Sequence, residues 1–165
     1  ARQFAEFTEN KESMSFIKFS MAMYENEINN PNKALEHLEI SKNYLNSIIY
    51  LYYNEEAKSY YLLGDYEKAL KIIRQNPYPN RGYHKMDYLM LWSGKVYEGL
   101  ILKELNKYDE AIKAIEFGLE KMNVFHSTQF HAFAYKSLSE VYSDMGDFEN
   151  AYKYLKKSDE IDNIF

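Results

Sequence analysis

The sequence predicts an all-α protein, an α-solenoid of about four helix-turn-helix repeats, and three observations predict it. The stretch LLGDYEKAL (Leu62 to Leu70) returns as ELNKYDEAI (Glu104 to Ile112) and DMGDFENAY (Asp144 to Tyr152), with INNPNKAL (Ile28 to Leu35) as a weaker copy. The alanines that then align, Ala34, Ala69, Ala111 and Ala151, are 35, 42 and 40 residues apart, spacings in the range of stacked helical hairpins. Counting back twelve from each alanine gives Ala22, Ala57, Gly99 and Ser139, all small. Two antiparallel helices that cross closely need small residues on both sides of the crossing.

The elements follow from turn chemistry and apolar period. The first helices of the pairs are predicted at 12–28, 47–63, 84–104 and 128–144, and the second helices at 32–44, 66–75, 108–122 and 148–161. Gly64 and Gly146 suit left-handed C-terminal caps, and Asn30-Pro31 opens a helix with proline in its first turn. Ser127 or Thr128 can cap the helix after it, while only Asn46 and Ser47 break the pattern between the first two pairs. One turn beyond each alanine stand Leu38, Ile73, Ile115 and Leu155, and three further on Ser41, Asn76, Gly118 and Ser158. These continue the crossing face, the larger ones filling the gap to a neighbouring pair. NPYPNRGY (Asn76 to Tyr83), with two prolines and a glycine, cannot continue a helix and is expected to be an extended connector. The repeats run roughly 12–45, 47–76, 84–123 and 128–162 in a single domain spanning 1–165.

Composition removes several function classes. The chain has 165 residues and a formal charge of −5 with both signs interspersed, which argues against nucleic-acid contact and against an anionic membrane surface. It has no cysteine, so disulfides and thiolate metal sites are excluded and a cytoplasmic setting is expected. No stretch resembles a membrane span or a signal peptide. The first residue is Ala1, and the chain is expected to be a piece of a longer protein.

Chemistry is sparse. His126 and His131 lie five apart, a spacing that does not set two imidazoles on one helical face, and His37 and His84 are isolated. There is no phosphate loop and no nucleophile elbow, and pairs such as Glu55-Glu56 and Asp159-Glu160 are ordinary for solvated helices. No enzyme, cofactor or metal is expected. In the tyrosine-rich run IIYLYYNEEAKSYYLL (Ile48 to Leu63), Tyr53 and Tyr60 are assigned to packing, and Tyr52 and Tyr61 to other faces that line a surface.

The small residue on the first helix, the Gly-Asp or Asn turn, the aromatic after it (Tyr66, Tyr108, Phe148), the alanine and the apolar residue one turn on resemble tetratricopeptide repeats over nearly the whole chain. The resemblance implies a right-handed solenoid that binds protein or peptide in a concave groove lined by first helices. The spacings exceed the usual ~34 residues. Lys18 and Lys95 stand where the family prefers the aromatics found at Tyr53 and Tyr135, and the closing proline is missing. The repeats are divergent, lengthened ones.

Residues three before and one after each small crossing residue are projected into the groove: Phe19 and Met23, Asn54 and Lys58, Val96 and Leu100, Lys136 and Glu140. Glu55, Tyr61, Tyr97 and Ser137 stand close by. An amide such as Asn54 can bond both groups of a peptide unit, which makes a peptide or protein ligand the expected partner. The carboxylate clamp of the chaperone-tail-binding members is not matched, because Phe19, Met23 and Glu55 occupy its positions. A looser similarity is to the peptide-sensing domains of Gram-positive quorum-sensing regulators, the Rap, Rgg, PlcR and PrgX group. It implies the sensor part of a transcriptional regulator whose DNA-binding or effector domain lies outside this sequence. An alternative is a scaffold that self-associates, for instance as a homodimer, through Ile161, Ile164 and Phe165 at the uncapped last helix.

Overall fold

The computed structural model describes residues 2–42, 49–76, 85–123 and 129–163. Among them are eight α-helices and no strand: α1 (Arg2–Glu27), α2 (Pro31–Ser41), α3 (Ile49–Leu62), α4 (Tyr66–Ile73), α5 (Lys85–Glu104), α6 (Tyr108–Met122), α7 (Gln129–Asp144) and α8 (Phe148–Asp162). Each predicted helix is present. α1 is the exception at its start, ten residues ahead of the predicted 12. RQFAEFTENK contains neither glycine nor proline, so nothing local stops the helix from running back through it. The expected loop after Asn76, the Ser127 or Thr128 cap and the Asn46-Ser47 break lie outside the described residues.

The helices gather into two compact units, Ala1–Pro77 and Tyr78–Phe165. In the first, α1 pairs with α2, α3 pairs with α4, and α3 also packs on α1 and α2. In the second, α5 pairs with α6, α7 pairs with α8, and α7 packs on α5 and α6.

All four hairpin turns have one conformation. The residue five before each repeat alanine, Asn29, Gly64, Asn106 or Gly146, has φ of 58°, 76°, 59° or 79°. The next amide reaches back over the helix end: Asn30 N–H to Glu25 O (2.8 Å), and Asp65 to Tyr60, Lys107 to Leu102 and Asp147 to Tyr142 (2.9 Å each). This is a left-handed C-terminal cap that satisfies the last carbonyls, with glycine in two turns and asparagine, the residue that best tolerates the conformation otherwise, in two. The carboxylates of Asp65 and Asp147 then accept the N–H of Lys68 (3.3 Å) and Asn150 (3.1 Å), capping α4 and α8.

The small-residue crossings are where the sequence places them. Ala22, Ala34, Ala57, Ala69 and Ala111 are wholly buried. A Cβ on Gly99 would stand 2.3 Å from Ile115 Cγ1 and 2.9 Å from Ala111 O. At the last crossing Ser139 Oγ donates to Ala151 O (2.8 Å). A second crossing lies seven residues along each helix: Gly118 sits against the Trp92 carbonyl and Lys95 Cβ, and Ser158 Oγ donates to Ala132 O (3.0 Å). Leu38, Ile73 and Ile115 are fully buried as expected, whereas Leu155, the fourth of that set, is exposed.

Candidate functional site

In each unit the two first helices lie side by side and are tied by polar side chains at matching places. Between α1 and α3, Asn26 Nδ2 donates to Glu55 O (3.1 Å) and Glu55 Oε2 (3.0 Å), Ser59 Oγ donates to Asn26 Oδ1 (2.9 Å), and Lys58 pairs with Glu27. Between α5 and α7, Lys103 Nζ lies 3.5 Å from Glu140 and 3.7 Å from Asp144, and the rings of Tyr97 and Phe133 meet at 5.1 Å. Lys58 and Glu140 occupy the same repeat position, one beyond the small crossing residue. An ion pair of reversed sign thus forms in the second unit, its partner Lys103 standing four beyond Gly99 where Glu27 stands five beyond Ala22.

These seams decide where the projected groove residues lie. Phe19, Val96 and Leu100 are buried in the core, and Asn54, Lys58 and Ser137 are buried polar residues. Asn54 Oδ1 accepts from Asn76 Nδ2 (2.7 Å), so this amide already serves the end of its own hairpin. Met23, Tyr61 and Tyr97 are half-buried, and Lys136 and Glu140 are exposed. Of the projected residues, the exposed ones lie in the second unit, where Phe133, Lys136, Glu140 and Asp144 follow one another along one side of α7. Sequence reasoning missed the two partners that build the seams, Glu27 and Lys103, because each lies on the helix before the one it bridges to. Ile161 is buried, and Ile164 and Phe165 lie outside the described residues.

The assignment of the tyrosine run is corrected. Tyr52 is the largest of the fully buried side chains among the described residues, while Tyr53 and Tyr60 are half-buried. Tyr52 lies five before the small crossing residue Ala57, a position that turns away from the partner helix α4 and is buried in this unit. Desolvation raises its hydroxyl above the ordinary tyrosine range, with Glu56 adding to the effect.

One open hollow of about 770 Å³ lies beside α3 and α4, lined by Lys42, Tyr53, Glu56, Lys68, Ile72 and Gln75 among others. Burial raises the Glu56 carboxyl above its usual range, opposed by Lys42 and Lys68. Both charge signs line the hollow, so it selects no one class of ligand. Among the described residues no group of three or more His, Cys, Asp or Glu is placed to hold a metal ion, and no helix is long and apolar enough to cross a membrane. His37 is buried in α2 and His131 in α7; His84 and His126 lie outside the described residues.

The tetratricopeptide repeat family model matches residues 134–165, the α7–α8 hairpin. Among solved structures, the crystal structure of MamA is similar with a TM-score of 0.61 and 19% identity, over 98% of this chain and 86% of that one. At that identity the likeness establishes the fold. No curated protein matches the chain. Hairpin geometry, repeat match and structural likeness define a helical-repeat fold of the tetratricopeptide type, a class built for protein-protein interaction.

Proposed function

We propose that the chain is a non-enzymatic protein-binding module, acting in the cytoplasm, that holds a peptide segment of its partner along the α5–α7 seam. The observation that carries this is the juxtaposition on that seam of the Tyr97–Phe133 ring pair with Lys136, Glu140 and Asp144. Half-buried rings give a partner side chain an apolar seat, and the charges beside them fix its direction. Lys136 and the Lys103-paired carboxylates of Glu140 and Asp144 present both charge signs to that segment. The narrowest form of this reading is a sensor for a short signalling peptide within a transcriptional regulator, with Met23 and Tyr61 serving the first unit in the same way.

Site-specific photo-crosslinking in the native host tests it. A photoreactive residue replacing Tyr97 should capture a partner that the same residue at exposed Lys113, on α6, does not. Equal capture at both positions would rule the seam out as the site. A captured mass of a few hundred to a few thousand daltons would select the signalling-peptide form, and only larger proteins would reject that form.

A further inference from the structure

Two hairpins of the chain carry tyrosines at the same pair of first-helix positions, four before and three after the small crossing residue: Tyr53 and Tyr60 in α3, Tyr135 and Tyr142 in α7. The second-helix residue that completes the set lies three after the repeat alanine. In α8 it is Tyr154, whose ring stacks on both, 6.1 Å from Tyr135 and 5.5 Å from Tyr142 with the planes 22° and 7° apart. Lys157, six after the alanine, lies 5.2 Å and 5.3 Å from the ring centres of Tyr135 and Tyr154. The α7–α8 hairpin thus fills this place with a ring of its own.

The α3–α4 hairpin leaves the same place open. Ile72 stands at the position of Tyr154 and Gln75 at that of Lys157, and both line, together with Tyr53, the hollow of about 770 Å³. Isoleucine has no flat face to lay against a ring. Tyr60 is covered instead by Lys68, whose Nζ lies 4.0 Å from the ring centre. Tyr53 meets Tyr52 nearly at right angles (6.0 Å, 86°), and among the described residues no ring stacks parallel on it. The hollow is therefore a ring seat whose ring the chain does not supply.

By charge alone the hollow selects no class of ligand; the missing ring does. Its volume falls in the range of small-molecule sites. Beside Tyr53 stand the carboxylate of Glu56 and the ammonium groups of Lys42, at the end of α2, and Lys71, on α4. A lone anion or a lone cation meets its own sign there, whereas a molecule of no net charge that carries both meets a counter-charge for each. We infer that the hollow binds a free aromatic amino acid, its ring stacked on Tyr53 as Tyr154 stacks on Tyr135, its ammonium toward Glu56 and its carboxylate toward Lys42 and Lys71. Offset stacking between rings supplies the selectivity over an aliphatic side chain. The residues that line the hollow belong to the first unit and those of the α5–α7 seam to the second, so each proposal can fail alone.

Isothermal titration of residues 1–165, with saturation-transfer NMR to identify the bound protons, tests the inference. L-Phenylalanine and L-tyrosine should bind with a Kd of about 1 mM or tighter, and L-leucine at least about tenfold more weakly. Ile72→Tyr, which gives α4 the ring that α8 already carries, should abolish binding at unchanged helicity by circular dichroism. Tyr53→Leu removes the stacking face while keeping a large apolar side chain at a half-buried position, and should weaken binding at least about tenfold; it decides the matter where Ile72→Tyr does not fold. N-Acetyl-L-tyrosinamide, the same ring without either charge, should also bind at least about tenfold more weakly. Equal or tighter binding of that amide would make the hollow a seat for a ring borne on a partner chain and overturn the free amino-acid assignment. Failure of both aromatic amino acids to bind, leucine binding as tightly as they do, or undiminished binding to a folded Ile72→Tyr variant would overturn it as well.

Discussion

At the scale of single residues, two glycines of the repeat do different work and should fail by different amounts. Gly99 is a helical residue with no room: its Cβ would collide with Ile115 and the Ala111 carbonyl. Gly99→Ala is expected to cost about 1–3 kcal/mol, the range for overpacking a close crossing. Gly64 meets nothing within 4 Å, but its φ of 76° is one that L residues avoid. Gly64→Ala should cost roughly 1 kcal/mol through the backbone alone, and urea denaturation measures both. Glu55 offers a test by pH. Burial raises its carboxyl above the ordinary value against the opposing pull of Lys58 and Asn26. Its folded pKa exceeds its unfolded one, so its contribution is fully present below the unfolded value near 4.5 and is lost as pH rises through the folded value. The thermal midpoint of wild type should therefore gain from this group as pH falls from neutral toward 5, and Glu55→Gln should flatten that slope. An unchanged slope would show the carboxylate is not desolvated as described.

At the scale of elements, the hairpin was the most legible unit in the sequence. Its turn residues, its alanine and its small crossing residue act locally and at fixed spacing, so LLGDYEKAL and its copies carried boundaries, caps and contact points together. Ser139 was readable as small. That its hydroxyl would bond the Ala151 carbonyl, 2.8 Å away, required the crossing geometry. Ser139→Ala is expected to loosen the α7–α8 hairpin by about 1 kcal/mol, seen as a lower denaturation midpoint with unchanged helix content. The cap on α8 should respond to acid in the opposite sense to Glu55. The hydrogen bonds from the side chain and backbone of Asn150 hold the Asp147 carboxyl below its usual range, so this stabilisation is present above the unfolded value and fades as pH falls through the lowered one. The start of α1 and the burial of Phe19, Asn54 and Leu100 were not legible. No local breaker marks the first, and burial depends also on packing between hairpins, whose contacts a repeat motif encodes far less strictly than those within a hairpin.

For the whole molecule, the fold could be read from sequence and the proposed binding surface only in part. Projection from the crossing residue gave Lys136 and Glu140, with Tyr97 close by, which border the α5–α7 seam, and also selected residues that the seams and cores consume. Lys58 and Glu140 show why: at one repeat position, one is a buried partner and the other an exposed one, according to the neighbours that each unit supplies. In the proposed function, binding rests on side chains left over after the hairpins are tied together, here rings and charged groups on α5 and α7. The most direct test of this account is the affinity of the crosslinked partner for wild type and for the double variant Lys136→Glu/Glu140→Lys, by isothermal titration with circular dichroism as the folding control. Binding through the α5–α7 seam predicts at least a tenfold loss of affinity, about 1.4 kcal/mol, at unchanged helicity. Equal affinity for the two proteins would contradict it.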